Sequence, residues 1–184
     1  MSDKIKLWKL LLIIIIVVII IWLFLGNNVY KTTYQEDIKA AIEKYSDEET
    51  IDYRLILSII KESSAFDAKK VSSDGEKGLM QISDSTFNEI SSLIGYDGGT
   101  NIMDPKTNIN VGVIYLDRLL AKYDNNIYVA LIAYKAGYKN VDTWIAASML
   151  SSKHNTKFVS TPNNEANSFL NNVMNSYEQY KTLH

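Results

Sequence analysis

Apolar and polar positions divide the 184-residue chain into two unlike parts. Residues 10–25 are sixteen consecutive apolar side chains, rich in isoleucine. Counted from Leu7 the run is nineteen long, with only Lys9 inside. Spanning a bilayer core takes about 20 residues, and a lysine near a helix end can reach the interface. The pattern therefore predicts one transmembrane helix over residues 7–25. Beyond residue 33, apolar positions recur at helical intervals. Ile38, Ala41, Ile42 and Tyr45 predict a first amphipathic helix. Asp52 suits the N-cap of a second, running to about Ser63. Residues 83–94 open with cap residues and predict a third. Ile109, Val113, Leu116, Leu120 and Tyr123 space a fourth over 107–123. Asn126 caps a fifth, which Gly137 ends, and residues 138–150 and 164–183 read as two more. Residues 95–105 and 151–163 read as loops. Residues 64–77 lack a period and hold the turn "SSDG"; with "GLMQI" they predict a small β-hairpin around 68–82.

The fold class is thus mainly α, with one small hairpin. Residues 1–26 form a short cytoplasmic tail and signal anchor, residues 27–33 a linker, and residues 34–184 one compact domain. Lys4, Lys6 and Lys9 precede the apolar run, and no basic residue follows it until Lys31. That asymmetry keeps the N-terminus in the cytoplasm and the domain outside the cell. The bulky stretch "WLFLGNNVY" offers no small-residue cleavage site, so the anchor is read as retained.

Charge and composition narrow the chemistry. The chain carries −2 overall. Residues 1–26 hold three lysines and one aspartate, so the outer part carries about −4. A mildly acidic outer domain does not suit nucleic acid. With no cysteine, disulfides, thiol catalysis and cysteine zinc sites are excluded. His154 and His184 lie in a polar loop and at the C-terminus, and no metal or cofactor is expected. The isoleucine, lysine and asparagine bias suggests an AT-rich, Gram-positive bacterial source.

One residue breaks the helical pattern. In "IIKESSAF", Glu62 shares a stripe with Leu55, Ile59 and Phe66, at i, i+4, i+7 and i+11. A carboxyl held away from water pairs, or keeps its proton to higher pH. The second property is what protonating a glycosidic oxygen needs. By periodicity alone, a helix-end glutamate turned to solvent explains the residue as well.

Four further motifs follow Glu62 in order: "SSDGEKGLMQ" over 72–81, "DPKTNINVG" over 104–112, "AYKAG" over 133–137 and "EANSFLNNVMNSYEQY" over 165–180. Order and spacing resemble the soluble-lytic-transglycosylase catalytic domain, a branch of the lysozyme superfamily. The resemblance covers about residues 34–181 and implies an α+β lysozyme-like fold. It implies that Glu62 is a lone catalytic acid/base and that Ser63 follows it as in the family. Ser72 matches a substrate-contacting serine. Gly78 lets the backbone approach closely, and Met80 and Gln81 flank the sugar cleft. Tyr134 matches a tyrosine whose hydroxyl sits near the acid, and Glu165 a second, substrate-contacting glutamate. Each also has a structural reading: Met80 and Tyr134 as core, Glu165 as an acid in a helix's first turn.

The chain departs from the family pattern at Ser83, Ala166, Phe169 and Lys135. Lys135 matters most, because it places a cation beside Tyr134 where the family has asparagine. Its ammonium is expected either to approach Glu62 or to point to water. The implied activity is cleavage of the β-1,4 bond between N-acetylmuramic acid and N-acetylglucosamine, with peptidoglycan glycan strands as partner. A hydrolytic goose-type muramidase and a weakly active peptidoglycan-binding scaffold are the competing readings.

Overall fold

A computed structural model describes residues 8–20, 33–46, 50–94, 101–150 and 160–182. The chain forms two compact units, Met1–Glu36 and Asp37–His184. In the first, residues 8–20 are helical (α1), and each of them is exposed. Among the described residues no helix is long and apolar enough to cross a membrane. The rest of the expected span, residue 7 and residues 21–25, lies outside the described residues, as do His154, His184 and most of the linker.

The helices that follow are α2 (Gln35–Tyr45), whose first two residues belong to the first unit, and, in the second, α3 (Tyr53–Ser64), α4 (Asp84–Ile94), α5 (Pro105–Lys122), α6 (Ile127–Ala136), α7 (Tyr138–Ala146) and α8 (Asn164–Thr182). The caps follow local chemistry. Asp52 accepts from Arg54 N at 2.9 Å and also grips the Arg54 guanidinium. Burial pushes the Asp52 carboxyl up, but the bonds from Arg54 outweigh that and hold it below its ordinary value. Asn126 accepts from Tyr128 N and Val129 N. Helix α5 begins two residues before the apolar spacing indicates. Asp104 accepts from Thr107 N at 2.9 Å as its cap, and Pro105 takes the first helical position. The core is built on α5 and α6: Val111, Val113 and Leu116 of the first and Val129 to Ala133 of the second are buried. α8 packs against both α3 and α6, while α5 packs against α4 and α6.

Helix α3 ends at Ser64, within a residue of the expected end, and Phe66 continues its apolar stripe from outside the helix. Ala65 (φ +53°) and Phe66 (φ +65°) take left-handed conformations. Such conformations cost about 1–2 kcal/mol per residue, and burying the Phe66 ring offsets that. One expectation is corrected: the hairpin over 68–82 does not form, and no strand occurs among the described residues. Two isolated bridges, Val71 with Lys77 and Lys77 with Ile82, stand in its place. The chain reverses at Gly75, Gly78 and Gln81, all with positive φ. Reversals three residues apart leave no length for paired strands.

Candidate active site

The site is assembled from α5 outward. Asn108 is fully buried and acts as a three-way bracket. Its Oδ1 accepts from Met80 N at 2.7 Å, and its Nδ2 donates to Lys77 O and Ile102 O, both at 2.9 Å. Gly78, at φ +74°, passes so close that a Cβ there would lie 2.5 Å from Asn108 Nδ2. The close approach at Gly78 is thus to Asn108. One turn along α5, Gly112 leaves room for the Met80 side chain; a Cβ there would lie 2.3 Å from its Sδ. The "GLMQ" turn and "DPKTNINVG" are therefore two halves of one joint.

The turn's polar groups are satisfied internally. Gln81 Nε2 donates to Gly78 O at 2.8 Å and Lys70 O at 3.1 Å. Ser72 Oγ accepts from Glu76 N at 3.1 Å, which shapes the "SSDGE" turn. The Tyr134 hydroxyl donates to Met80 O at 2.9 Å, and its ring stacks on Phe169 and tilts against Tyr115. Burial pushes the Tyr134 phenol well above its ordinary value, so it remains a donor. The resemblance implies that this hydroxyl sits near the acid; its hydrogen bond goes to the turn that carries Met80 and Gln81.

Glu62 stands in the last turn of α3, its side chain 21 % exposed. Ser176 Oγ, from α8, donates to Glu62 Oε1 at 2.6 Å. Lys61 Nζ in turn donates to Ser176 Oγ at 3.0 Å and lies 3.6 Å from Glu62 Oε1. The lysine occupies the serine's acceptor side, which directs the hydroxyl proton to Glu62. Burial, and then the charge of Glu62, push the nearby Tyr180 phenol up.

Lys135 neither reaches Glu62 nor points to open water. Its ammonium lies 3.0 Å from Glu76 Oε2 and 2.9 Å from Glu165 Oε1. Burial pushes this ammonium down, but its bonds to Glu165 and Glu76 outweigh that and hold it above its ordinary value.

These groups line one cleft of about 280 Å³. It collects Glu62, Ser63, Ser72, Met80, Gln81, Tyr134, Lys135 and Glu165. Of the residues singled out in the sequence, Gly78 stands behind the wall. The pattern common to the Transglycosylase SLT domain matches residues 40–157, well over half of the chain. The chain belongs to the Transglycosylase SLT domain family. The soluble lytic murein transglycosylase of Escherichia coli (strain K12) is 30% identical over 141 residues, 75% of this chain and 22% of its own. A membrane-bound lytic murein transglycosylase F of Desulfosudis oleivorans is 34% identical over 106 residues, 54% of this chain and 22% of its own. The crystal structure of the 70 kDa soluble lytic transglycosylase from Escherichia coli superposes with a TM-score of 0.68 at 25% identity, covering 82% of this chain and 24% of that one. The chain spans about a fifth of the length of the relatives it matches.

The SLT match ends before α8, yet α8 supplies one wall of the cleft. Glu165, Ser168, Asn172 and Ser176 follow one another at i, i+3, i+7 and i+11. That spacing is a polar stripe beside the buried Ala166, Leu170 and Val173. It was visible in the sequence and would have found Ser176. Glu76 and Lys70, which also line the cleft, carry no such signal. They come from an aperiodic loop whose path depends on Asn108.

Proposed function

We propose that this SLT domain is a peptidoglycan lytic transglycosylase. It would cleave the β-1,4 bond between N-acetylmuramic acid and N-acetylglucosamine and leave 1,6-anhydro-muramic ends. The observation that carries this reading is the division of labour among the carboxylates of the cleft. Glu76 and Glu165 share the Lys135 ammonium at 2.9–3.0 Å, whereas Glu62 takes the Ser176 hydroxyl on Oε1, with Lys61 at 3.6 Å from that same oxygen, and Oε2 has neither as partner. One acid must then serve twice. Glu62, protonated, donates to the leaving glycosidic oxygen as the bond to C1 breaks. The resulting carboxylate takes the proton of the muramic C6 hydroxyl, whose oxygen closes on C1. The proton returns to Glu62 and no water is consumed. Ordinary glycosidases place a second carboxylate at about 5–10 Å for water or covalent attack; here the other two are held together on the one ammonium of Lys135.

Ser176 would hold Oε1 and leave Oε2 to carry the mobile proton. Ser176→Ala is expected to lower kcat about tenfold, the loss of one charge-assisted hydrogen bond. KM should stay within about twofold, because Ser176 is buried beneath Glu62. Ser176→Thr keeps the hydroxyl and should recover most of the rate. Steady-state kinetics on soluble glycan strands check all three.

The apolar α1 and the lysines before it support anchoring through residues 7–25, with the domain on the cell-wall side. A tether holds the cleft at high effective concentration beside the wall. The deciding experiment is digestion of purified peptidoglycan by the full chain, with mass spectrometry of the products. Anhydro-muramic ends support the reading. Reducing muramic ends would replace it with hydrolysis, and binding without release would replace it with a scaffold.

A further inference from the structure

Lys135 sits where two grooves meet. Glu76, Tyr134 and Lys135 line both the Glu62 cleft and a neighbouring groove of about 450 Å³ whose polar lining includes Ser83, Thr86 and Asn140. A glycan passing from one groove to the other crosses the Glu76–Lys135–Glu165 bar. The two halves of that bar differ. Glu76 and Lys135 are each 20 % exposed and rest on the loop and on α6. Glu165 is 66 % exposed, in the first turn of α8. An exposed ion pair is worth little and opens easily, so Glu165 is the half that yields. The ammonium would then keep Glu76 alone as its carboxylate partner and have a place for a second one.

We propose that Lys135 is a specificity-determining residue that selects saccharides carrying a carboxylate. An incoming carboxylate replaces that of Glu165 one for one, so the ammonium stays doubly paired. A neutral sugar displaces Glu165 and offers nothing in return. This inference rests on the function proposed above and adds the charge class of the glycan. Among the described residues, Lys70 is the other cation lining the cleft. Its ammonium donates to Ser63 O, and it provides the natural alternative that the test must separate.

The test uses the full chain and two substrates. One is a strand of alternating N-acetylglucosamine and N-acetylmuramic acid with free lactyl carboxylates. The other is the same strand after its carboxylates have been converted to methylamides. The wild type should prefer the free carboxylate about tenfold in kcat/KM, mostly through KM. Lys135→Asn should bring the two strands within about twofold of each other. Glu165→Gln should widen the preference, because it deprives Lys135 of its resident partner. That variant alters an exposed helix-end residue, so it decides the matter even if Lys135→Asn proves unstable. Equal use of both strands by the wild type would overturn the proposal. So would an undiminished preference in Lys135→Asn, which would pass the role to Lys70. Calorimetric binding of both strands reads the preference without turnover. A chain that discriminates in binding but releases no anhydro product therefore fails the functional reading and keeps this one.

Discussion

Glu62→Gln is expected to lower the release of anhydro-muropeptides by roughly 10²–10⁴-fold, the range of a lost general acid/base. The substitution is nearly isosteric. Ser176 can still donate to the amide oxygen, and Leu55 and Ile59 beneath it are untouched. The melting temperature should therefore change by no more than about 2 °C. An amide can neither give the first proton nor take the second, so both halves of the proposed cycle stop together. The neighbouring acids should not rescue it, because Glu76 and Glu165 are engaged by Lys135. Product mass spectrometry together with a thermal melt measures both quantities. A folded Glu62→Gln protein with wild-type turnover would remove Glu62 from the mechanism.

Asn108→Ala should give the largest loss of stability. It removes three hydrogen bonds at a fully buried position and deprives Met80 N–H and Ile102 O of the Asn108 amide, while Lys77 O still accepts from Ile82 N at 3.0 Å. An unsatisfied buried group costs about 1–3 kcal/mol. With partial relaxation and water entry, the two groups together come to about 2–5 kcal/mol. In a chain of this size that corresponds to a melting temperature lower by roughly 10 °C. Activity should fall as well, because the turn that Asn108 holds carries Met80 and Gln81 into the cleft. Asn108→Asp separates the two roles. It keeps the Oδ1 acceptor for Met80 N and loses the donations to Lys77 O and Ile102 O. Denaturant melts and kinetics on the same preparations would show whether stability and rate fall together. A melting temperature unchanged in Asn108→Ala would mean that the joint is held elsewhere.

The helices were legible because their signals are local. Asp52 and Asn126 cap where their side chains reach the next amide hydrogens, and the buried positions of α2 recur at the helical period. Glu62 was legible for the same reason, as a charge on a face otherwise apolar. The end of α3 was legible to within a residue, but the route by which the chain leaves it was not. Two left-handed residues turn Phe66 back into a core built from elsewhere in the chain. The aperiodic stretch 68–82 misled for a related reason. Its turns are set by Asn108, some thirty residues away, and not by pairing along the chain.

The amino-acid sequence by itself determined the helical elements, the family, the odd acid Glu62 and the apolar character of the N-terminal segment. Each rests on residues near one another in the chain or on motifs in a known order. The tertiary structure alone decided who touches whom. It put Ser176 on Glu62 across 114 positions, gave the Tyr134 hydroxyl to Met80 O, and set Lys135 between Glu76 and Glu165. The substitution of a cation for an amide at position 135 was plain in the sequence, and its meaning was not. A charge takes its role from the charges it meets, and those come here from a loop and from the last helix, brought together only when α6 and α8 pack.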